Sequence, residues 1–327
     1  MERRWVRIVA FVVCIPLLGV DSINAQSLTP VTLSIATKTF QQVIHPIAQD
    51  RGYMKEEGID FKLTFIEATP SIQTLMSGSI EFTASGTSAL VALAKGGVPL
   101  KVILATNDRV LQWVLAKPNI ASPKDLKGKK VATTGVAAAA TFMLKQIVAK
   151  HGLDGNKDIT IIDPGSGNQL TALLTGVADA AIVSPDQRYI GLDNGMKELI
   201  YFGNEVKNSW GTVATSDKII KEQPKMVTGF VRGVLKAIRY VRQDREGTIA
   251  AMVKFSGIER TAAARVYDDL VSTFTRSGAV DEETQRNDLV IIRQVVEGKE
   301  IIPPNRAYDF SFALDADQQL NKMGWKP

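Results

Sequence analysis

Apolar and polar residues change their period along the chain, and the changes mark its elements. Val31-Thr32-Leu33-Ser34-Ile35 alternates strictly and predicts a strand with one face in a core. Ile59, Phe61, Leu63 and Phe65 alternate with Asp60, Lys62 and Thr64 and predict a second strand. Between them, Pro46 suits the first turn of a helix and Gly58 suits its end. The period then becomes helical: Ile72, Leu75 and Met76 stand at i, i+3 and i+4, behind Thr69-Pro70 as N-cap and first residue. Gly78 follows where the helix must stop, since glycine takes the left-handed conformation without a Cβ penalty, and Ile80–Thr83 is a short strand. The same unit recurs at a constant offset of 98, with Leu170, Leu173, Leu174, Gly176 and the strand Ala180–Val183. Glu81 in one copy is matched by Asp179 in the other, which suggests a shared structural role in capping or pairing. Two copies of one helix–glycine–strand unit predict two related α/β lobes.

The remaining pattern fits that frame. Further strands are expected at Pro99–Thr106, Lys129–Thr133, Ile159–Ile162, Tyr201–Phe202 and Trp210–Thr215. Helices are expected at Ala89–Lys95 and Val136–Val148, and Ser122 caps a single turn begun by Pro123. Alternation of strand and helix argues for a mostly parallel sheet. From Pro224 the chain turns helical, with Met226, Phe230, Val234, Leu235 and Ile238 on one stripe. Helices at Arg245–Phe255, Thr261–Ser272 and Asp281–Val296 follow, and Ile302–Asn321 closes the chain.

Residues 1–25 read as an export signal. Arg3, Arg4 and Arg7 form a basic start, Ile8–Val20 is one apolar run, and Ile23-Asn24-Ala25 offers a cut after Ala25. The run is shorter than the roughly 20 residues that span a bilayer. Phe11-Val12-Val13 before Cys14 lacks the small residues of a lipoprotein signal. Cys14 is the only cysteine of the 327-residue chain, so cleavage leaves no disulfide, thiol nucleophile or thiolate ligand. The remaining length suffices for two ordinary cores.

Charge and chemistry narrow the function classes. The net charge of +5 is scattered without a run of bases, which argues against a nucleic-acid partner and leaves a mildly basic surface that favours anionic solutes. Only His45 and His151 occur, at a helix start and a helix end. A helix C-terminus favours a protonated imidazole, a structural use for His151. Two isolated histidines and no mature cysteine make neither a zinc set nor a Ser-His or Cys-His pair. No glycine-rich phosphate motif is present, and the pattern implies no cofactor and no metal. Ala84-Ser85-Gly86-Thr87-Ser88 precedes a helix, and its hydroxyl residues serve either as caps or as an anion site on the helix N-terminus. Lys38 and Arg188 read equally as solvated charges and as ligand contacts.

Four segments carry a family resemblance: Gly52-Tyr53 with Glu56-Glu57-Gly58-Ile59, Gln73–Phe82, Asp125–Val131 (DLKGKKV), and Leu173–Pro185. In this order, behind an export signal, they resemble the nitrate/sulfonate/taurine-type solute-binding proteins of ABC importers, related to the NMT1/THI5-like thiamine-pyrimidine proteins. The resemblance implies an α/β, two-lobed fold of the periplasmic-binding-protein type II kind, with mixed sheets flanked by helices and two hinge crossovers. It places residues 26–113 and 215–327 in lobe I and 114–214 in lobe II, with crossings near Val114–Lys117 and Gly211–Ala214. It implies a monomer in the periplasm that hands a small molecule to an ABC permease and is not an enzyme. Carried over position by position, the ligand contacts are Thr37, Lys38 and Phe40, then Ser85, Gly86 and Thr87 in lobe I. In lobe II they are Thr134, Val136, Ala137, Ala138, Pro185, Asp186 and Arg188, with Trp210 at the second crossing. Relatives that bind oxyanions carry hydroxyl residues where this chain has Val136–Ala140, which lack side-chain donors. That departure weakens the case for nitrate or a sulfonate and puts a partly apolar, aromatic carboxylate on an equal footing, so the expected ligand is a small organic anion of the aromatic carboxylate or sulfonate-like kind. Two rivals share the implied fold: a pyrimidine-biosynthesis enzyme, which relies on reactive His and Cys, and a binding module serving a sensor.

Overall fold

The computed structural model describes Glu2 and residues 27–165 and 167–327. The expected signal and its cut after Ala25 lie outside the described residues, Glu2 apart. Among the described residues, ten strands form two five-stranded sheets. The first holds β1 (Thr29–Ile35), β2 (Ile59–Phe65), β3 (Phe82–Thr83) and β4 (Leu100–Asn107). The second holds β5 (Trp113–Ala116), β6 (Lys129–Ala132), β7 (Ile159–Ile162), β8 (Ala180–Val183) and β9 (Lys197–Tyr201). The last strand, β10 (Trp210–Ser216), returns to the first sheet.

The two sheets have one topology. Their orders are β2-β1-β3-β10-β4 and β7-β6-β8-β5-β9, so β10 and β5 occupy equivalent places. β1 runs parallel to β2 and β3, as β6 does to β7 and β8, while β10 and β5 are antiparallel to their neighbours. The sheets are therefore mixed rather than mostly parallel, because each takes in a strand at a point where the chain changes lobe. The repeat seen in sequence is a repeat of contacts as well. Glu81 Oε2 accepts from the Thr32 N–H at 2.7 Å, and Asp179 Oδ2 accepts from the Lys130 N–H at 3.0 Å. Gly78 and Gly176 end their helices at φ of 76° and 79°.

Local differences from the sequence reading have identifiable causes. The first repeat helix begins at Ala68 with Glu67 at its N-cap, which moves Thr69 and Pro70 into the first turn. The helix expected from Val136 begins at Ala139. Gly135 sits at φ 127°, and its carbonyl accepts from the Thr133 and Thr141 hydroxyls, which holds 134–138 as a turn. Strand β5 was not legible: Trp113-Val114-Leu115-Ala116 is buried on both faces and shows no alternation. The chain crosses between sheets at 108–112 and 202–209, so Trp113 and Val114–Ala116 lie in the second sheet and 210–214 in the first.

The C-terminal helices pack on the first sheet. In the helix Pro224–Gln243, Phe230 stacks on Phe82 of β3 at 3.8 Å between centroids. Lys236 of the same helix is buried and satisfied by Glu57 at 2.6 Å and Glu56 at 2.7 Å. Among the described residues no helix is long and apolar enough to cross a membrane.

Candidate functional site

A cavity of about 420 Å³ lies where elements of both sheets meet. Its first wall is the loop after β1, which the strand's parallel pairing points to the same side as the ends of β2 and β3. Lys38, Thr39, Phe40 and Val43 come from this loop and the turn behind it. Phe40 is fixed edge-to-face against Phe274 at 5.2 Å, which leaves it almost buried at the cavity floor. Lys38 is exposed; its ammonium lies 5.2 Å from the Phe65 ring centroid and 6.0 Å from that of Phe255. It pairs with no carboxylate among the described residues.

The second wall is the helix Pro185–Asp193, which follows β8 of the second sheet. Ser184 and Gln187 form a capping box at its start, and Pro185 takes the first helical position, where its missing N–H costs nothing. This presents Pro185, Asp186, Tyr189, Ile190 and Asp193 to the cavity. The third wall comes from helices that follow the return of β10 to the first sheet. Met252 and Phe255 lie on the helix Arg245–Ser256, Ile258 on the connecting turn, and Thr261, Arg265 and Val266 on the helix Arg260–Leu270.

Polar contacts join the second and third walls. Arg265 makes a two-pronged pair with Asp193, at 2.8 Å and 3.1 Å, and its guanidinium lies over the Tyr189 ring at 4.3 Å. The Tyr189 hydroxyl donates to the Arg265 carbonyl at 3.1 Å and to the Asp269 carboxylate. Burial, then Asp269, push that hydroxyl's pKa well above the ordinary tyrosine value, so it remains a donor at neutral pH. Arg188 bridges Asp269 at 2.7 Å and Glu198 at 2.5 Å and lies over Trp113, which stacks on Tyr201.

Of the residues expected at the site, Lys38, Phe40, Pro185 and Asp186 meet around this cavity. Thr37 is the exposed neighbour of Lys38 and does not line it. Ser85, Gly86 and Thr87 begin the helix Gly86–Gly96 away from the cavity. Gly86 packs so closely on β10 that a Cβ there would stand 2.0 Å from Thr212 Oγ1, a structural use. Thr134, Val136, Ala137 and Ala138 form the surface turn before the helix Ala139–Lys150. Arg188 is turned toward Asp269 and Glu198, and Trp210 pairs with Asn107 in the sheet. The sequence reading missed the third wall, because Met252, Phe255 and Arg265 sit on helices whose pattern reads only as packing. Among the described residues no cluster of three His, Cys, Asp or Glu could hold a metal.

A family model described as NMT1/THI5 like matches residues 41–247. No curated protein matches the chain in sequence. Solved structures share its fold. The periplasmic sulfonate-binding protein SsuA from Methylobacillus flagellatus is 16% identical with a TM-score of 0.76, over 92% of this chain and 97% of that one. The periplasmic nitrate-binding protein NrtA from Synechocystis is 12% identical with a TM-score of 0.70, over 90% and 89%. The desulfurization enzyme DSZB is also 12% identical, with a TM-score of 0.67 over 90% and 99%. At such identities the likeness carries the architecture: a two-lobed α/β fold of the periplasmic-binding-protein type II kind.

Proposed function

We propose a function from two premises: the chain belongs to the NMT1/THI5-like family, and its cavity is walled by both lobes. The protein is a periplasmic solute-binding protein that captures a small organic anion and delivers it to an ABC permease, without making or breaking bonds itself. The observation that carries this reading is the shared cavity, with Lys38 and Phe40 on one lobe and Pro185, Asp186 and Tyr189 on the other. Its volume suits a small organic molecule. A ligand touching both lobes favours the closed form by its differential affinity for that form, and two crossings allow the lobes to rotate as bodies. The lining combines aromatic and aliphatic surface with the Asp186 carboxylate on one side and, on the other, the Lys38 ammonium, which no acidic side chain pairs among the described residues; that ammonium supports a carboxylate or sulfonate on an apolar or aromatic body.

The likeness to a desulfurization enzyme favours a second reading, catalysis at the same cavity. No cysteine lies between residues 27 and 327, so a thiol nucleophile has no place in that chemistry. Native mass spectrometry of the exported protein, followed by a thermal-shift screen of carboxylates, sulfonates and inorganic anions, tests the binding reading. A retained or stabilising organic anion recovered unchanged supports it. Turnover of that anion, or stabilisation by inorganic anions alone, overturns it. A permease complex that forms only with the loaded protein supports delivery, and its failure to form leaves a sensor module as the better account.

A further inference from the structure

The apolar face of β2 runs out of the core before the strand ends. Ile59 and Phe61 are buried, Leu63 is half-buried, and Phe65 is 53% exposed. Phe65 does not face open surface alone. It borders a second cavity, of about 240 Å³, between β2, the helix Ile44–Asp50 and the helix Arg245–Ser256. Leu63, Phe65, Pro46, Ala251 and Phe255 give this cavity its hydrocarbon lining, while Asp50 and Lys254 at its rim pair with each other at 2.5 Å. The two cavities share two residues, Lys38 and Phe255. The shared wall thus holds an ammonium near two aromatic rings, with the mixed polar and apolar main cavity on one side and the hydrocarbon-lined smaller cavity on the other.

We infer that the smaller cavity is an apolar subsite of the ligand site, and that the ligand is an amphiphilic organic anion whose charged group sits at Lys38 while its hydrocarbon runs from that wall into the smaller cavity. This deepens the solute-binding reading and rests on it. The charge at the shared wall is the one cation of the two linings that has no acidic partner among the described residues, since Arg265 holds Asp193 and Lys254 holds Asp50. An anion at that wall completes the ammonium's pairing. The hydrocarbon beyond it leaves water for the Leu63, Phe65 and Ala251 surface, which is the term that grows with chain length.

The test is titration calorimetry of the full mature chain with straight-chain alkanoates from butanoate to decanoate. Affinity is expected to rise about 3- to 4-fold per methylene, the factor for moving one methylene out of water, and to continue rising to the long end of the series as the chain fills the smaller cavity. Lys38→Met is expected to weaken every member by a similar factor of about ten and to leave the slope in place. Ala251→Phe places a ring in the smaller cavity and is expected to flatten the series at its long end. Phe65→Ala removes exposed hydrocarbon, cannot cost the core, and is expected to lower the slope if Ala251→Phe fails to fold. A series that rises and then stays level in the wild type, or an unchanged slope in both cavity variants, overturns the subsite and leaves the solute-binding reading standing. Absence of binding by every alkanoate, together with every aryl carboxylate and sulfonate, overturns both.

Discussion

Asp288 is where the fold's electrostatics can be tested most sharply. It lies on the helix Glu282–Val295 and is buried against the second crossing. Its carboxylate accepts from Asn208 Nδ2 at 2.9 Å, the Ser209 N–H at 3.1 Å, the Ser209 hydroxyl at 2.6 Å and the Tyr308 hydroxyl at 3.1 Å. No cation pairs with it among the described residues. Burial therefore dominates, and its pKa is pushed up from 3.8 to about 6 although all four donors oppose the rise. The folded state thus holds the proton more firmly than the unfolded chain does. The stability this contributes is fully present below pH 3.8 and is lost as pH rises through about 6. A rise of that size corresponds to about 3 kcal/mol. Asp288→Asn stays neutral at every pH and keeps an oxygen that accepts two of the four bonds. Urea unfolding of both proteins between about pH 4 and pH 7.5 isolates the group, because every other titration cancels in the difference. The stability of wild type relative to Asp288→Asn is expected to fall by about 2.5 kcal/mol across that window. A difference that is flat with pH, or a carboxyl carbon of Asp288 that titrates by NMR in the ordinary range, refutes the reasoning.

Three further outcomes follow from particular contacts. His45 is fully buried with no hydrogen-bond partner on either ring nitrogen among the described residues, and burial lowers its pKa from 6.5 to about 3. Its contribution is present above pH 6.5 and lost as pH falls toward 3, so His45→Leu is expected to unfold at lower pH by circular dichroism; an unchanged acid midpoint sinks this. Gly86→Ala drives a methyl onto Thr212 and is expected to cost about 1–3 kcal/mol in urea, partly recovered in Gly86→Ala/Thr212→Ala; strictly additive losses count against the contact. Asp193→Asn with Asp269→Asn removes acidic partners of Arg265, Arg188 and Tyr189 between the second and third walls of the cavity. Exposed pairs contribute only about 0.2–1 kcal/mol each, so melting should shift little, while small-angle scattering should report a larger radius of gyration. Equal radii at low and high salt would show that these pairs do not hold the lobes together.

Much of the architecture could be read from the chain because it is written in local periods. The offset of 98 between Leu75-Met76-Gly78 and Leu173-Leu174-Gly176 sets out two like units, and Glu81 and Asp179 prove to perform the same backbone-capping job in each. Glycine stops, proline starts and alternating strands depend on residues close in sequence, so the chain alone determined them. Where the lobes exchange strands was a tertiary matter. β5 carries no alternation because both its faces are covered, and β10 joins the first sheet only because the chain returns there. The cavity divides in the same way. Lys38, Phe40, Pro185 and Asp186 follow strands directly, and strand-to-helix loops advertise themselves in sequence. Tyr189, Met252, Phe255 and Arg265 face the cavity only because three helices distant along the chain converge on it, and each also has a packing role that hides it. Arg188 shows the limit most plainly: its place in the chain allowed a ligand contact, but Asp269 arrives from 81 residues away and takes the guanidinium first.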